Sequence, residues 1–338
     1  MDEKNMNSSL SRDEKRYLFE DLFADAIESW FTADIACCDA CFDEFVREWP
    51  ALYLRDIGFQ SSVWDLGLIY EGSRLREMHS KEEFWEFVKD IECPRCLSPL
   101  KCHIWPYNLP FDPPDGFETA AQQIATIAGV TPFLLLTHPF ALRVHQAIQD
   151  LGAATQPEVL GQPYYRGRIL KASPTVPVTD FDKPPQSCTR EGRYNHAGLP
   201  ALYLASDLLT CFLELREPAT DFFAIRVVIP GSLKILDLMK IEEGVTEHAI
   251  LSAVLYSSLL SRPRAGDDFE RPQYVFTRFV ADCARAAGFD GIRYPSTRIS
   301  KAHNLVLLAP VKPLADLGHL EEVVSFDGNT VTVLRADG

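Results

Sequence analysis

No stretch of this chain is apolar for long enough to cross a bilayer: the longest, such as Ile250 to Leu260, falls well short of the roughly 18 to 20 residues a span requires. A membrane helix is therefore not expected. The start, Met1 to Arg16, is polar and charged and lacks the basic cluster and apolar run of a secretory leader, so a cytoplasmic location is expected. Basic residues are scarce beside acidic ones, 33 against 48, and the formal charge of −15 repels polyanions on average. Nucleic acid is not an expected partner. A small phosphorylated ligand is still allowed, because pairing inside a pocket acts over a few ångströms while more distant exposed charges are screened by salt. Internal repeats and low-complexity tracts are also missing, which argues against solenoids and disordered arrays. What is present, 46% hydrophobic and 24% charged residues over 338 positions, is ordinary globular composition with room for about two cores.

Cysteine is not in short supply. Nine occur, and in a cytosolic chain they stay reduced, so clustered ones call for another explanation. Six precede position 103, including the pairs Cys38-Asp39-Ala40-Cys41 and Cys93-Pro94-Arg95-Cys96. CxxC spacing lets two thiolates reach one ion from a tight turn, and two pairs complete a tetrahedron of the kind zinc favours. Cys38, Cys41, Cys93 and Cys96 are thus the expected ligands of a structural Zn2+, with no open position for catalysis. Cys37, Cys102 and His103 lie close enough in sequence to leave membership of the set open. A redox dithiol is the alternative, but no thioredoxin-like βαβ pattern surrounds either pair. Cys188, Cys211 and Cys283 are scattered and read as small buried apolar residues.

Helical periodicity places Leu18, Phe19, Leu22, Phe23, Ala26 and Ile27 on one face of a helix over Tyr17 to Trp30. A second helix is expected from Ser80 to Val88, capped by Ser80 with Glu82 and Glu83 near its positive end. The run WPYNLPFDPPDG, from Trp105 to Gly116, breaks regular structure. Helices are expected again over Glu118 to Ala128 and Phe140 to Leu151. Short β-rich runs follow at Tyr164 to Leu170, Ala201 to Ala205, Phe222 to Ile229, Lys234 to Leu238 and Asn304 to Leu308, with helical stretches at Leu208 to Arg216, Glu247 to Leu260 and Val275 to Ala287. Asp327-Gly328-Asn329 separates two strand-like runs as a hairpin turn does. The expected organisation is α+β: a mainly helical zinc-binding module over residues 1–110, a linker with bridging helices over 111–153, and a catalytic domain over 154–338 built on a small mixed sheet.

Four segments of the last region carry chemistry. They are Tyr165-Arg166-Gly167; Gly192-Arg193-Tyr194-Asn195; Leu202-Tyr203-Leu204-Ala205 leading to Glu214; and Phe289-Asp290-Gly291-Ile292-Arg293-Tyr294-Pro295-Ser296. Taken singly, each has an ordinary reading as a surface charge, a core tyrosine, a turn serine or a loop. In order and spacing they resemble the RES family, named for an arginine, a glutamate and a serine, which includes toxins that degrade NAD+. The resemblance is densest in GRYNHAGLPALYLASDLLTCFLEL and in GFDGIRYPSTRISKAHNLVLL. It implies a fold similar to the ADP-ribosyltransferase toxins, NAD+ bound in a cleft, and cleavage of the nicotinamide to ribose bond, with Arg166, Tyr203, Glu214 and Ser296 in the family's positions. It also implies an antitoxin or regulatory partner, and a homo-oligomer is the expected state.

The residue chemistry fits that implication. Nicotinamide leaves as a neutral molecule, so its departure needs no proton donor, and positive charge gathers on the ribose. One carboxylate, Glu214, suffices to stabilise it. Arg166 is expected to grip the pyrophosphate with paired hydrogen bonds, Tyr203 to pack on a ring or bond ribose, and Ser296 to meet the ribose or the carboxamide. Arg168, Arg193, Asn195 and Tyr294 are expected substrate-binding residues, with Arg298 in reserve. Glu217, one helical turn after Glu214, is an alternative carboxylate, and His196 reads as an exposed loop residue. Two other functions share these residues. ADP-ribosyl transfer to a protein uses the same bond-breaking step, although Glu214-Leu215-Arg216-Glu217 lacks the ExE spacing of arginine-modifying transferases. A zinc-stabilised nucleotide-binding module without turnover is the other.

Overall fold

The computed structural model describes residues 10–30, 35–48, 63–106, 117–171, 176–216, 218, 221–239, 250–251, 274–296, 298–299, 302–308, 310 and 312–334. The expected helix over Glu247 to Leu260 lies almost wholly outside them, as does Glu217. Two compact units share the chain; the described residues up to Pro106 belong to the first and those from Phe117 onward to the second. No helix among the described residues is long and apolar enough to cross a membrane.

The first unit contains α1 (Arg12–Trp30), β1 (Ile35–Cys38), α2 (Phe42–Glu48), β2 (Trp64–Asp65), α3 (Leu66–Gly72), α4 (Leu75–Met78), α5 (Lys81–Phe87) and β3 (His103–Pro106). α1 buries Phe19, Leu22, Phe23, Ala26 and Ile27, the apolar face its periodicity predicts. α5 begins with a full capping box, in which the Ser80 side chain accepts from the Glu83 N–H and the Glu83 carboxylate accepts from the Ser80 N–H. The unit is less helical than expected: β1, β3 and β2 form a three-stranded antiparallel sheet. Strands this short carry too little alternation to be read locally; stacking of Phe42 on Trp105, centroids 4.1 Å apart, helps hold them.

His79 follows α4 and is 3% exposed, edge-on to Phe19 and Phe87, and neither ring nitrogen has a hydrogen-bond partner among the described residues. Burial holds its pKa below the ordinary value of 6.5, with Glu83 opposing and Lys15 assisting. The folded unit therefore keeps a neutral ring while the unfolded chain takes up a proton below about pH 6.5, so stability present above that pH is lost as pH falls. His79→Phe, which fits the same aromatic cluster, should flatten the fall in thermal midpoint between pH 7 and pH 5.5. An equal fall in both proteins, followed by circular dichroism, would rule this out.

The second unit opens with α6 (Phe117–Val130) and α7 (Pro139–Ala154) and continues through β4 (Glu158–Val159), β5 (Tyr164–Ile169), β6 (Ala201–Ala205), α8 (Leu208–Glu214), β7 (Phe222–Val228), β8 (Ser232–Leu233), β9 (Ile235–Asp237), α9 (Val275–Ala286), β10 (Gly291–Pro295), β11 (His303–Leu308), α10 (Leu314–Leu317), β12 (His319–Phe326) and β13 (Val331–Leu334). Eight strands make one mixed sheet in the order β13-β12-β7-β5-β6-β11-β10-β9, parallel only between β9 and β10. This is larger than the small sheet expected. The C-terminal hairpin, turned at Asp327 whose carboxylate accepts from the Asn329 and Thr330 N–H groups, joins the sheet beside β7, and Gly291–Pro295 adds a strand between β9 and β11.

One face of the sheet covers the main core, including Tyr164, Leu202, Leu204, Ile225, Val227, Leu305 and Leu307. On the other, α8 packs Cys211 and Phe212 onto Ala205, Phe222 and Ala224. Gly167 makes that approach possible, since a Cβ there would lie 2.7 Å from the Cys211 sulfur and 2.8 Å from the Phe222 ring.

Candidate functional site

Register determines which side chains meet. Directly opposed residues of an antiparallel pair share a face, and Tyr203 lies opposite Val306, Asn304 opposite Ala205 and Tyr294 opposite Asn304. Tyr203, Asn304 and Tyr294 therefore point to the side of the sheet on which α8 packs. Asp207 caps α8, accepting from the Thr210 N–H at 2.8 Å, and Glu214 is its last residue. A carboxylate is electrostatically misplaced there, against the negative end of the helix dipole. Arg216, two residues on, has a left-handed backbone at φ 65, where glycine is usual. Local rules broken together in this way point to function rather than stability.

The Glu214 carboxylate is held by one oxygen. Ser296 Oγ donates to Oε1 at 2.8 Å and Asn304 Nδ2 donates to the same atom at 2.7 Å. Oε2 takes no hydrogen bond among the described residues, and the side chain is exposed. Ser296 is 2% exposed and fully engaged, since its oxygen also accepts from the Arg298 N–H at 3.0 Å and the Ile299 N–H at 3.4 Å. One donor and two lone pairs are all a serine has. All three of these positions are taken by protein atoms, where a ribose or carboxamide contact was expected.

Tyr203 and Asn195 are similarly engaged. Tyr203 Oη donates to Asn195 Oδ1 at 2.8 Å and accepts from the Tyr194 N–H at 2.9 Å, and Asn195 Nδ2 donates to the carbonyls of Arg190 and His196. Burial pushes the Tyr203 hydroxyl well above its ordinary pKa, so it stays protonated and can donate. The loop from Gly192 to Asn195 is thereby fixed over β6. This places the Arg193 guanidinium 5.2 Å from the Tyr294 ring centroid and 5.8 Å from that of Tyr194. Burial pulls the Arg193 pKa down, but Tyr194, Tyr294, Tyr274 and Glu214 outweigh it and hold the value above the ordinary one. Burial, and then Glu214, raise Tyr294. Arg193, Tyr294 and Glu214 thus share one electrostatic neighbourhood. His196 Nε2 meets Asp282 Oδ2 at 2.8 Å, tying the end of the loop to α9.

Gly192 allows this packing: a Cβ there would lie 2.3 Å from Asn195 Oδ1 and 2.7 Å from Tyr203 Oη. Gly192→Ala should displace the loop and cost about 1–3 kcal/mol of stability. Thermal unfolding checks it, and a midpoint within a degree of the parent would show that the contact yields freely.

Arg166 is placed differently from expectation. It lies opposite Ile225, whose side chain belongs to the core on the far face. Its Nε donates to the Phe181 carbonyl at 3.2 Å and its Nη1 to the Tyr203 carbonyl at 3.0 Å. β5 and β6 pair only at Tyr165 and Ala205, so the Tyr203 carbonyl, which a continued ladder would bring toward Gly167, takes the guanidinium instead. The paired grip expected on a pyrophosphate is not available from Nε and Nη1; only Nη2 takes no hydrogen bond among the described residues. Burial, then the neighbouring Arg168, push its pKa down to about 9, which leaves it charged at neutral pH. Arg168 donates to the carbonyls of Asp180 and Asp182, so both arginines hold the segment from Val178 to Phe181. Asn304 was not among the site residues expected from sequence. Its signal is an amide interrupting the apolar run of β11 on a face occupied otherwise by Val306 and Leu308.

In the first unit the sulfurs of Cys38, Cys41, Cys93 and Cys96 all lie within 4.8 Å of one another, with 3.7 Å between Cys38 and Cys96 and 3.9 Å between Cys41 and Cys93. A tetrahedral tetrathiolate site with bonds of about 2.3 Å needs sulfurs about 3.8 Å apart, so the cluster fits a metal ion of that kind. None of the four is in a disulfide. The Cys38 N–H points at the Cys41 sulfur and the Ala40 N–H at the Cys38 sulfur, each at 3.4 Å, an arrangement that favours thiolates. Asp39 anchors the first pair to β3, accepting from the N–H groups of Cys102 and His103 and meeting His103 Nδ1 at 2.8 Å. Arg95 anchors the second through Glu44. Leu97 closes that turn with a left-handed φ of 59. Cys102 is exposed, and His103 is turned to Asp39 rather than to the cluster.

Among solved structures, the crystal structure of the M. tuberculosis MbcT-MbcA toxin-antitoxin complex is similar at 16% identity and a TM-score of 0.36, over 54% of this chain and 93% of that one. Among curated proteins no match is found. The model of the family described as the RES domain matches residues 168–324, a span that holds Tyr203, Glu214, Ser296 and Asn304 and begins two positions after Arg166. The second unit of this chain carries a RES domain.

Proposed function

We propose that this RES domain hydrolyses NAD+ to nicotinamide and ADP-ribose, with Glu214 at the reacting ribose. The observation that carries the proposal is the half-bound carboxylate: Oε1 is fixed by Ser296 and Asn304, and Oε2 takes no hydrogen bond among the described residues. In the reaction the bond between the nicotinamide nitrogen and the ribose carbon breaks, its electron pair returns to the ring nitrogen, and water adds to the ribosyl cation with loss of a proton. A fixed carboxylate stabilises that cation without rearranging as the charge develops. Arg193, a cation in electrostatic reach of Glu214, is assigned to the pyrophosphate. Arg166 is assigned to positioning, holding the divergence of β5 from β6 where a dinucleotide would lie in an ADP-ribosyltransferase-like cleft. Ser296, Asn304, Tyr203 and Asn195 position Glu214 and Arg193.

Zn2+ is assigned to the four cysteines, where it would supply cross-linking energy to a small unit and no catalysis. An enzyme that depletes NAD+ endangers the cell that makes it, so the role assigned is that of a toxin or defence effector held in check by an antitoxin or other regulatory protein. Incubating the purified full chain with NAD+ and resolving the products tests the activity. Equal amounts of nicotinamide and ADP-ribose are expected. Nicotinamide released with ADP-ribose attached to protein would replace hydrolysis by transfer, and undiminished NAD+ would end the proposal.

A further inference from the structure

The second unit displays an apolar surface that its own core does not use. Between α6 and α7 runs the 3₁₀ segment Pro132–Thr137, with sequence PFLLLT, and none of its residues is buried. Phe133 is 100% exposed, Val130 78%, Leu134 53%, Leu142 51% and Leu136 47%. The flanking helices do contribute to the core: Ile124, Phe140, Ala141, Val144, Ala147 and Ile148 are buried, and α7 reaches α9 closely enough that a Cβ on Gly152 would lie 2.8 Å from Ala287. The hairpin is therefore anchored by one side and presents the other. Six residues are also long for a 3₁₀ run, which ordinarily needs packing to persist.

Charge indicates what covers this surface. Residues 119–142 contain no Asp, Glu, Lys or Arg, in a chain whose formal charge is −15. In a two-fold contact the residues near the axis meet their own copies, so a strongly acidic chain meets itself with least repulsion through a surface poor in acidic groups. An anionic membrane would recruit a cluster of basic residues around the apolar patch, and Arg143, directly after Leu142, is a single one beside this stretch. An acidic or basic protein partner would likewise leave a cluster of complementary charge, which one arginine does not make. Contiguous exposed apolar patches are uncommon on monomers and mark interaction sites, and pairing two copies doubles the apolar surface that one contact removes from water.

We propose that the surface formed by Val130, Phe133, Leu134, Leu136 and Leu142 is a homodimer interface, its occupant the same surface of a second copy. The proposal is independent of the NAD+ reading, because no residue assigned to that site belongs to it. Sedimentation equilibrium of the full chain at micromolar concentration is expected to give twice the chain mass. Phe133→Glu should weaken the dimer by at least about a hundredfold, since a buried, unpaired carboxylate at the interface centre costs several kcal/mol. Val331→Glu, equally an exposed apolar position but on β13, should leave it unchanged. Phe133 touches no core, so the variant should keep the parent's far-ultraviolet spectrum. A monomeric parent, or a dimer that Phe133→Glu disturbs no more than Val331→Glu does, would overturn the proposal. So would co-flotation of the parent, but not of Phe133→Glu, with vesicles containing anionic phospholipid, because lipid would then be the occupant.

Discussion

Glu214→Gln is expected to lower NAD+ cleavage by about a hundredfold to ten-thousandfold while leaving NAD+ binding and the fold almost unchanged. Glutamine keeps an acceptor for Ser296 and Asn304, so the two hydrogen bonds that set the side chain can survive and only the charge facing the ribose is removed. Stability should hold or rise slightly, because the carboxylate ends α8 at the negative pole of its dipole. That pairing, lost rate without lost stability, marks a group retained for chemistry. Ser296→Ala and Asn304→Ala should each cost less, about tenfold, because the carboxylate keeps one of its two partners. Initial rates of nicotinamide release, calorimetric NAD+ affinity and thermal midpoints separate these effects. A Glu214→Gln enzyme with parental kcat would remove Glu214 from the chemistry, and a collapsed midpoint would make its role structural.

Much of the second unit was legible because local pattern and tertiary use agree. β6 spans the residues expected, β5, β7, β9 and β11 lie within a residue or two of their expected bounds, and α8 starts where Asp207 caps it. β10 was harder to read, since Gly291 and Pro295 frame it and its register depends on neighbours far apart in sequence. The site shows the same division. Residue type placed Glu214, Tyr203, Ser296 and Arg193 in one list, but not their tasks. That Ser296 would spend its donor on Glu214, 82 residues away in the chain, follows from the packing of α8 beside β10 and β11, and that Arg166 would occupy a strand carbonyl follows from the divergence of β5 from β6. The cysteine cluster was legible at the level of spacing. The exclusion of Cys102 and His103 needed Asp39, which turns His103 away.

Removing metal from the cysteine cluster should produce the largest change in stability. Metal binding to such sites is worth about 10–16 kcal/mol in small zinc modules, comparable to or larger than the whole stability of a typical domain. The helical core around Phe19 and Phe84 leaves the sheet of this unit with little else to hold it: its strands are two to four residues long, and the cluster joins the turn after β1 to the turn at Cys93–Cys96. All five tryptophans of the chain, Trp30, Trp49, Trp64, Trp85 and Trp105, precede residue 112, so intrinsic tryptophan emission reports on this unit and not on the RES domain. Chelation, or Cys93→Ser, should shift that emission to the red. Nicotinamide release measured in parallel tells whether the RES domain depends on the first unit. Cys102→Ser is the matched control and should leave emission unchanged, because its exposed sulfur lies outside the cluster. Protein that is purified without metal, or that keeps its blue emission after exhaustive chelation, would mean that the four thiols are held together by packing alone.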